Sequence, residues 1–171
     1  RVLLESGRTS AMLLLILIGS LIFSQFINVS RFPNIVADWI KTLEVGPYTV
    51  IIVIIVIYVL LGSIFESISM LLLTVPVFFP IVAGLDFGLG GPARTLIWFG
   101  VIVVVTIEIS LISPPIGLNV FVLKSLLPDV PLSAIYRGVI PFIIADLVRL
   151  SVLVALPIIS LALPDMMVAR K

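Results

Sequence analysis

Two carboxylates stand inside otherwise apolar runs: Glu66, in the knot Gly62-Ser63-Ile64-Phe65-Glu66-Ser67-Ile68-Ser69, and Glu108, in the stretch 95–112. A third polar feature follows Glu108, the interruption Ser113-Pro114-Pro115-Ile116-Gly117 with Asn119 just beyond it. An acid at membrane depth is a functional candidate by default. Glu66 has two readings that can hold together: a direct ligand within a site, and a cap whose charge favours the first turn of the following helix. Glu108 has three: it coordinates a cation, carries a proton, or pairs with a basic residue elsewhere. At the interruption, Pro115 has no N–H and Pro114 biases Ser113 away from helical backbone. An unwound stretch there leaves carbonyls and N–H groups that cost several kcal/mol each in lipid unless something satisfies them. Half-helix ends of this kind hold Na⁺ and anionic groups in secondary transporters. Ser113 adds a hydroxyl, Gly117 close backbone approach, and Asn119 an amide. The plainer reading is a Pro-kinked structural helix, against which stand two adjacent prolines flanked by Ser and Gly.

These features need a frame that places them in a bilayer, and the composition supplies one. The 171 residues are 61% hydrophobic and 11% charged, with a mean hydropathy of +1.39. A soluble domain carries roughly a quarter charged residues, so an all-α polytopic membrane protein is expected. There is no His and no Cys, which removes His general bases, thiol catalysis and most transition-metal ligand sets. With no nucleophile–base pair and no phosphate loop, no enzyme is expected. A net charge of +1 without a basic patch excludes nucleic acid as a partner. The chain begins at Arg1 with no signal-peptide layout, and is expected to be part of a longer protein.

A membrane-spanning helix needs about 20 mostly apolar residues. The first candidate is 10–29. Residues 31–44 read as a short amphipathic helix at the interface, with Trp39 at headgroup level. These form a scaffold segment, 1–45. Segment 46–127 reads as a transport module. In it, apolar arms 50–61 and 70–85 flank the 62–69 knot, which contains no Lys or Arg. The arms are either two full spans or a helical hairpin entering and leaving by one face (46–85), its tip buried in protein. The module continues as a helix over 95–127, broken at 113–117. Segment 128–171 is a loop and a last long helix, 133–163, with Pro141 and Pro157 as possible kinks. Asp146 and Arg149, three residues apart, share a face and neutralise each other. Alternating the segments puts Arg1, Arg8, Lys124 and Arg137 on one side and Arg31, Lys41, Arg94, Arg170 and Lys171 on the other, so charge sets no orientation.

The run from Leu61 to Ile81, the Ile97-Trp98-Phe99-Gly100 run, and Glu108-Ile109-Ser110-Leu111-Ile112-Ser113-Pro114-Pro115-Ile116-Gly117-Leu118-Asn119 together resemble the C-terminal half of the large permease subunit of TRAP transporters (tripartite ATP-independent periplasmic transporters). The tail, Gly138-Val139-Ile140-Pro141-Phe142 with Asp146 and Arg149, resembles that family's last helix. The sequence departs at Ser110, where the family usually has Gly, and at Ser113, where it often has Thr. The resemblance implies the second inverted repeat of an elevator-type secondary transporter, with a re-entrant hairpin and a broken helix. It implies Na⁺-coupled import of small organic acids, C4-dicarboxylates or sialic acid among them, across the bacterial inner membrane. It also implies two partners, a small membrane subunit and a periplasmic substrate-binding protein. Gly62, Ser63, Glu66, Ser67, Ser113, Pro114, Pro115, Gly117 and Asn119 become candidate substrate- or ion-binding residues, with Gly62, Ser113 and Gly117 the Na⁺ candidates and no other cofactor. A Na⁺/H⁺ exchanger or inorganic-anion carrier of similar architecture is the alternative.

Overall fold

The computed structural model describes residues 2–114 and 117–168, which form eight helices and no strand. The candidate residue Pro115 lies outside the described residues, as do Arg1, Arg170 and Lys171.

Helix α1 (Val2–Val29) is 28 residues, about 42 Å at 1.5 Å per residue, more than a hydrocarbon core of about 30 Å. It starts eight residues earlier than the apolar run alone implies. Glu5 lies in its first turn, where an acid favours the dipole, and Thr9 Oγ1 bonds back to Glu5 O at 3.0 Å. Its burial is inverted relative to a water-soluble helix: Ser20 is 4% exposed while Leu15 is 73% exposed. A face of that kind suits an apolar surrounding rather than water. Helix α2 (Phe32–Thr42) is the amphipathic segment, bracketed by two residues in the left-handed region, Arg31 (φ 56°) and Glu44 (φ 53°). Those corners let it turn sharply between α1 and the next helix.

Helices α3 (Pro47–Gly62) and α4 (Ser67–Ala83) are the two apolar arms. At 16 and 17 residues they reach about 24 and 26 Å, short of a full crossing. They run antiparallel: the Tyr58 and Thr74 hydroxyls are 2.7 Å apart, and the Tyr58 ring packs on Phe78 at 5.4 Å. Thr74 Oγ1 is also 2.7 Å from Met70 O. Thr74 has one proton, so the relay closes when the phenol donates to Thr74 and Thr74 donates to Met70. Prolines 76 and 80 sit inside α4 without ending it.

Helix α5 (Pro92–Ile112) is the hub. It packs against α3, α4, α6 (Leu118–Leu126), α7 (Leu132–Ala155) and α8 (Ile158–Val168). Trp98, Phe99 and Ile102 are fully buried on it. Tyr48 and Phe87 pack edge-on or tilted against Trp98, and Phe79 against Phe99. Helices α1, α5 and α7 are long and apolar enough to cross a membrane.

The last apolar stretch is two helices, not one. Pro141 is carried inside α7, but Pro157 ends it. Proline at 157 has no N–H for the Leu153 carbonyl four residues back. That carbonyl instead accepts the indole N–H of Trp98 at 2.9 Å. Asp146 and Arg149 pair at 3.0 Å, as their spacing predicts. Lys124 donates to the carbonyls of Pro128 and Val130, holding the turn between α6 and α7.

Candidate functional site at the hairpin tip and the helix break

Glu66 is the N-cap of α4. Its backbone is extended (φ −70°, ψ 145°), and its carboxylate accepts from Ile68 N at 3.1 Å, Ser69 N at 3.0 Å and Ser69 Oγ at 3.0 Å. Both oxygens therefore serve the otherwise unpaired N–H groups of the first turn. The capping role expected of Glu66 is present in the structure.

The tip before it is buried only in part, since Ile64 and Phe65 are exposed among the described residues. Gly62 and Ser63 are buried, and Ser63 Oγ donates to Val59 O at 2.7 Å. Gly62 meets Ser110 on α5: a Cβ at position 62 would lie 2.7 Å from Ser110 Cβ. The hairpin tip thus rests on the last full turn of α5, three residues before Ser113. Ser67 and Glu108 line a shallow groove of about 110 Å³ with Ile68, Leu71, Val104 and Ile107. Glu108 is exposed and makes no hydrogen bond or ion pair with the described residues.

The break follows. Helix α5 ends at Ile112, Ser113 turns to extended backbone (φ −84°, ψ 144°), and α6 resumes at Leu118. Gly117, the N-cap of α6, is buried and left-handed (φ 59°, ψ 81°). A Cβ on it would sit 3.1 Å from Ser113 O and 3.4 Å from Ile112 O, so the terminal carbonyls of α5 face this glycine. Ser113 is buried; Pro114 and Asn119 are exposed, Asn119 on the first turn of α6.

The structure also adds residues to the site. Thr106 and Ser110 are fully buried on the α5 face that meets the hairpin, with Ser113 next along. Thr106 Oγ1 donates to Ile102 O, and Ser110 Oγ to Ile107 O. With Ser63 they form a set of buried hydroxyls whose protons are all spent inside their own helices. Ser63 and Thr106 keep acceptor lone pairs, the polarity that suits a hard cation, while the Ser110 side chain packs against Gly62. The signal in the sequence was the i, i+4 spacing of Thr106 and Ser110. Among the described residues no three His, Cys, Asp or Glu side chains come together as a metal cluster.

Short apolar arms joined by a capped tip, set against a broken apolar helix, are the architecture of a helical membrane protein. The comparisons agree. The family model for the tripartite ATP-independent periplasmic transporter, DctM component, matches residues 1–159, and the chain belongs to that family. The C4-dicarboxylate TRAP transporter large permease protein DctM of Pseudomonas aeruginosa is 34% identical over 165 residues, 96% of this chain and 37% of that protein. The sialic acid TRAP transporter large permease protein SiaM of Vibrio cholerae is 28% identical, over 96% of this chain and 37% of its own length. The 2,3-diketo-L-gulonate TRAP transporter large permease protein YiaN of Escherichia coli is 27% identical, over 98% and 36%. The chain therefore spans little more than a third of the length of these relatives.

Proposed function

We propose that this chain is one repeat of a Na⁺-coupled permease in the bacterial inner membrane, importing a small organic acid. The observation that carries the reading is the seating of the hairpin tip on α5 one turn before its break. It gathers Gly62, Ser63 and Ser110 beside the stretch where Ser113 and Gly117 expose the ends of two half-helices. Arms too short to cross support a re-entrant hairpin, and an elevator-type movement would carry that tip with the break. Na⁺ is held by carbonyls of the break and by hydroxyl lone pairs of Ser63 and Thr106. The acid's carboxylate faces the N-terminus of a half-helix, where unpaired N–H groups and the dipole favour negative charge.

The relative at 34% identity is named for C4-dicarboxylates, and others for sialic acid and 2,3-diketo-L-gulonate. A four-carbon dicarboxylate is the substrate to try first. A small membrane subunit and a periplasmic binding protein complete the working complex.

One observation favours a second reading. Glu108, exposed beside Ser67 and unpaired among the described residues, has the setting of a proton carrier in an exchanger. The test is uptake of labelled succinate into proteoliposomes holding the full-length permease, its small subunit and the binding protein, under imposed Na⁺ or pH gradients. Glu66→Gln and Glu108→Gln should each lower the rate but leave uptake driven by Na⁺. If either variant loses all gradient-driven uptake yet still exchanges substrate at equilibrium, that acid is the coupling site and the Na⁺ assignment at the break is wrong.

A further inference from the structure

Gly62 ends α3 directly against α5. A Cβ there would meet Ser110 Oγ, Ser110 Cβ at 2.7 Å and Met70 Cε at 3.1 Å. These three neighbours differ in kind. The methionine methyl is the end of a flexible side chain and yields. The serine hydroxyl can rotate. Ser110 Cβ cannot, because the backbone of α5 fixes it, and no rotamer at either position relieves that contact. Both residues are buried, and the Ser110 hydroxyl is already satisfied by the Ile107 carbonyl. What Ser110 offers the hairpin is therefore shape: it fills the notch that Gly62 leaves.

We propose that Ser110 is a positioning residue for transport, setting the gap between the hairpin tip and the broken helix, with Gly62 as its complement. The proposal rests on the reading of tip and break as one site. Ser63 follows Gly62 directly, and the carbonyls that face Gly117 begin two residues after Ser110. A change in the gap at 62–110 is therefore passed to both sides of the site. The quantity that matters is the bulk the two positions share, so damage at one is relieved by removal at the other.

The experiment is uptake by the full-length complex in proteoliposomes, titrated with Na⁺. The substrate is whichever of labelled succinate, sialic acid or 2,3-diketogulonate the unaltered complex takes up. Gly62→Ala keeps the backbone carbonyl and adds only the clashing methyl. It should cut uptake about tenfold and raise the half-saturating Na⁺ concentration. Adding Ser110→Gly should restore both, while Ser110→Ala, which keeps the Cβ, should restore neither. Should Gly62→Ala fail to accumulate in the membrane, recovery of its amount by Ser110→Gly, and not by Ser110→Ala, supports the same contact. Failure of Ser110→Gly to restore amount or uptake overturns the proposal, as does full activity of Gly62→Ala. Recovery of uptake with the Na⁺ titration unmoved throughout reduces the contact to ordinary packing and overturns the positioning role. Recovery in a complex whose uptake never depended on Na⁺ upholds the contact and refutes the Na⁺ reading alone.

Discussion

Gly117→Ala isolates the geometry of the helix break with a single methyl. Position 117 holds φ 59° and ψ 81°, a left-handed conformation that costs an L-residue with a Cβ about 1–2 kcal/mol. The new Cβ would also sit 3.1 Å from Ser113 O and 3.3 Å from Ile112 C. Both are backbone atoms at the end of α5, so the contact is relieved only by moving the carbonyls that face the glycine. Strain and contact together come to about 2 kcal/mol or slightly more. At 1.4 kcal/mol per factor of ten, that is roughly a thirtyfold loss in apparent Na⁺ affinity or uptake rate if the displaced carbonyls bind the ion. Gly117→Val, β-branched in the same conformation, should abolish uptake while leaving membrane insertion intact. The matched control is Gly138→Ala on α7, where a Cβ meets nothing within 4 Å and replaces an unfavourable helix residue. The assay is Na⁺-titrated uptake in proteoliposomes, normalised to the amount of permease present. Gly117→Ala with half-saturation and maximal rate within about twofold of the unaltered complex would refute a cation site at this break, because the strain would then have been absorbed without functional cost.

Three further outcomes test the frame around the site. Glu66→Ala removes three acceptor contacts at the start of α4 and should cost about 1 kcal/mol, read as a lower thermal midpoint, with Glu66→Gln losing less. Trp98→Phe strands the Leu153 carbonyl that Pro157 cannot serve and should cost about 1–3 kcal/mol; an unchanged midpoint would show that another group satisfies it. The Arg94–Asp165 pair, 2.7 Å apart with each side chain nearly half exposed, should contribute less than about 1 kcal/mol in a double-mutant cycle and leave uptake unaltered.

The sequence was most legible where a residue type forces backbone behaviour. The Gly-Ser-Glu-Ser knot marks the turn between the arms, and the Ser-Pro-Pro run marks the break, because glycine, proline and a capping acid act locally. The Asp146–Arg149 pair was equally visible, since three residues along a helix place two side chains on one face. The start of α1 was not, because Glu5, Ser6, Gly7 and Arg8 look like a polar flank although they continue the helix. Pro141 and Pro157 are alike in sequence and opposite in outcome. The carbonyl that Pro157 strands is met by Trp98, 55 residues away, and nothing local announces that bond. Ser110 stood out by its type alone; that it faces Gly62 is a tertiary fact, fixed only when α3 lies against α5. The capping role of Glu66 was legible, because its hydrogen bonds to Ile68 and Ser69 are local.

The bond from Trp98 to Leu153 also settles how the end of the chain is loaded. A proline interruption left to itself is a swivel, with the helix after it free to rotate about the residue before. Here the freed carbonyl on one side of the swivel is bonded to α5, and Asp165 on the other side meets Arg94, one turn before Trp98 on the same helix. The joint is braced on both sides by one strut. Both α7 and α8 thus lie against α5, the helix that bears the break.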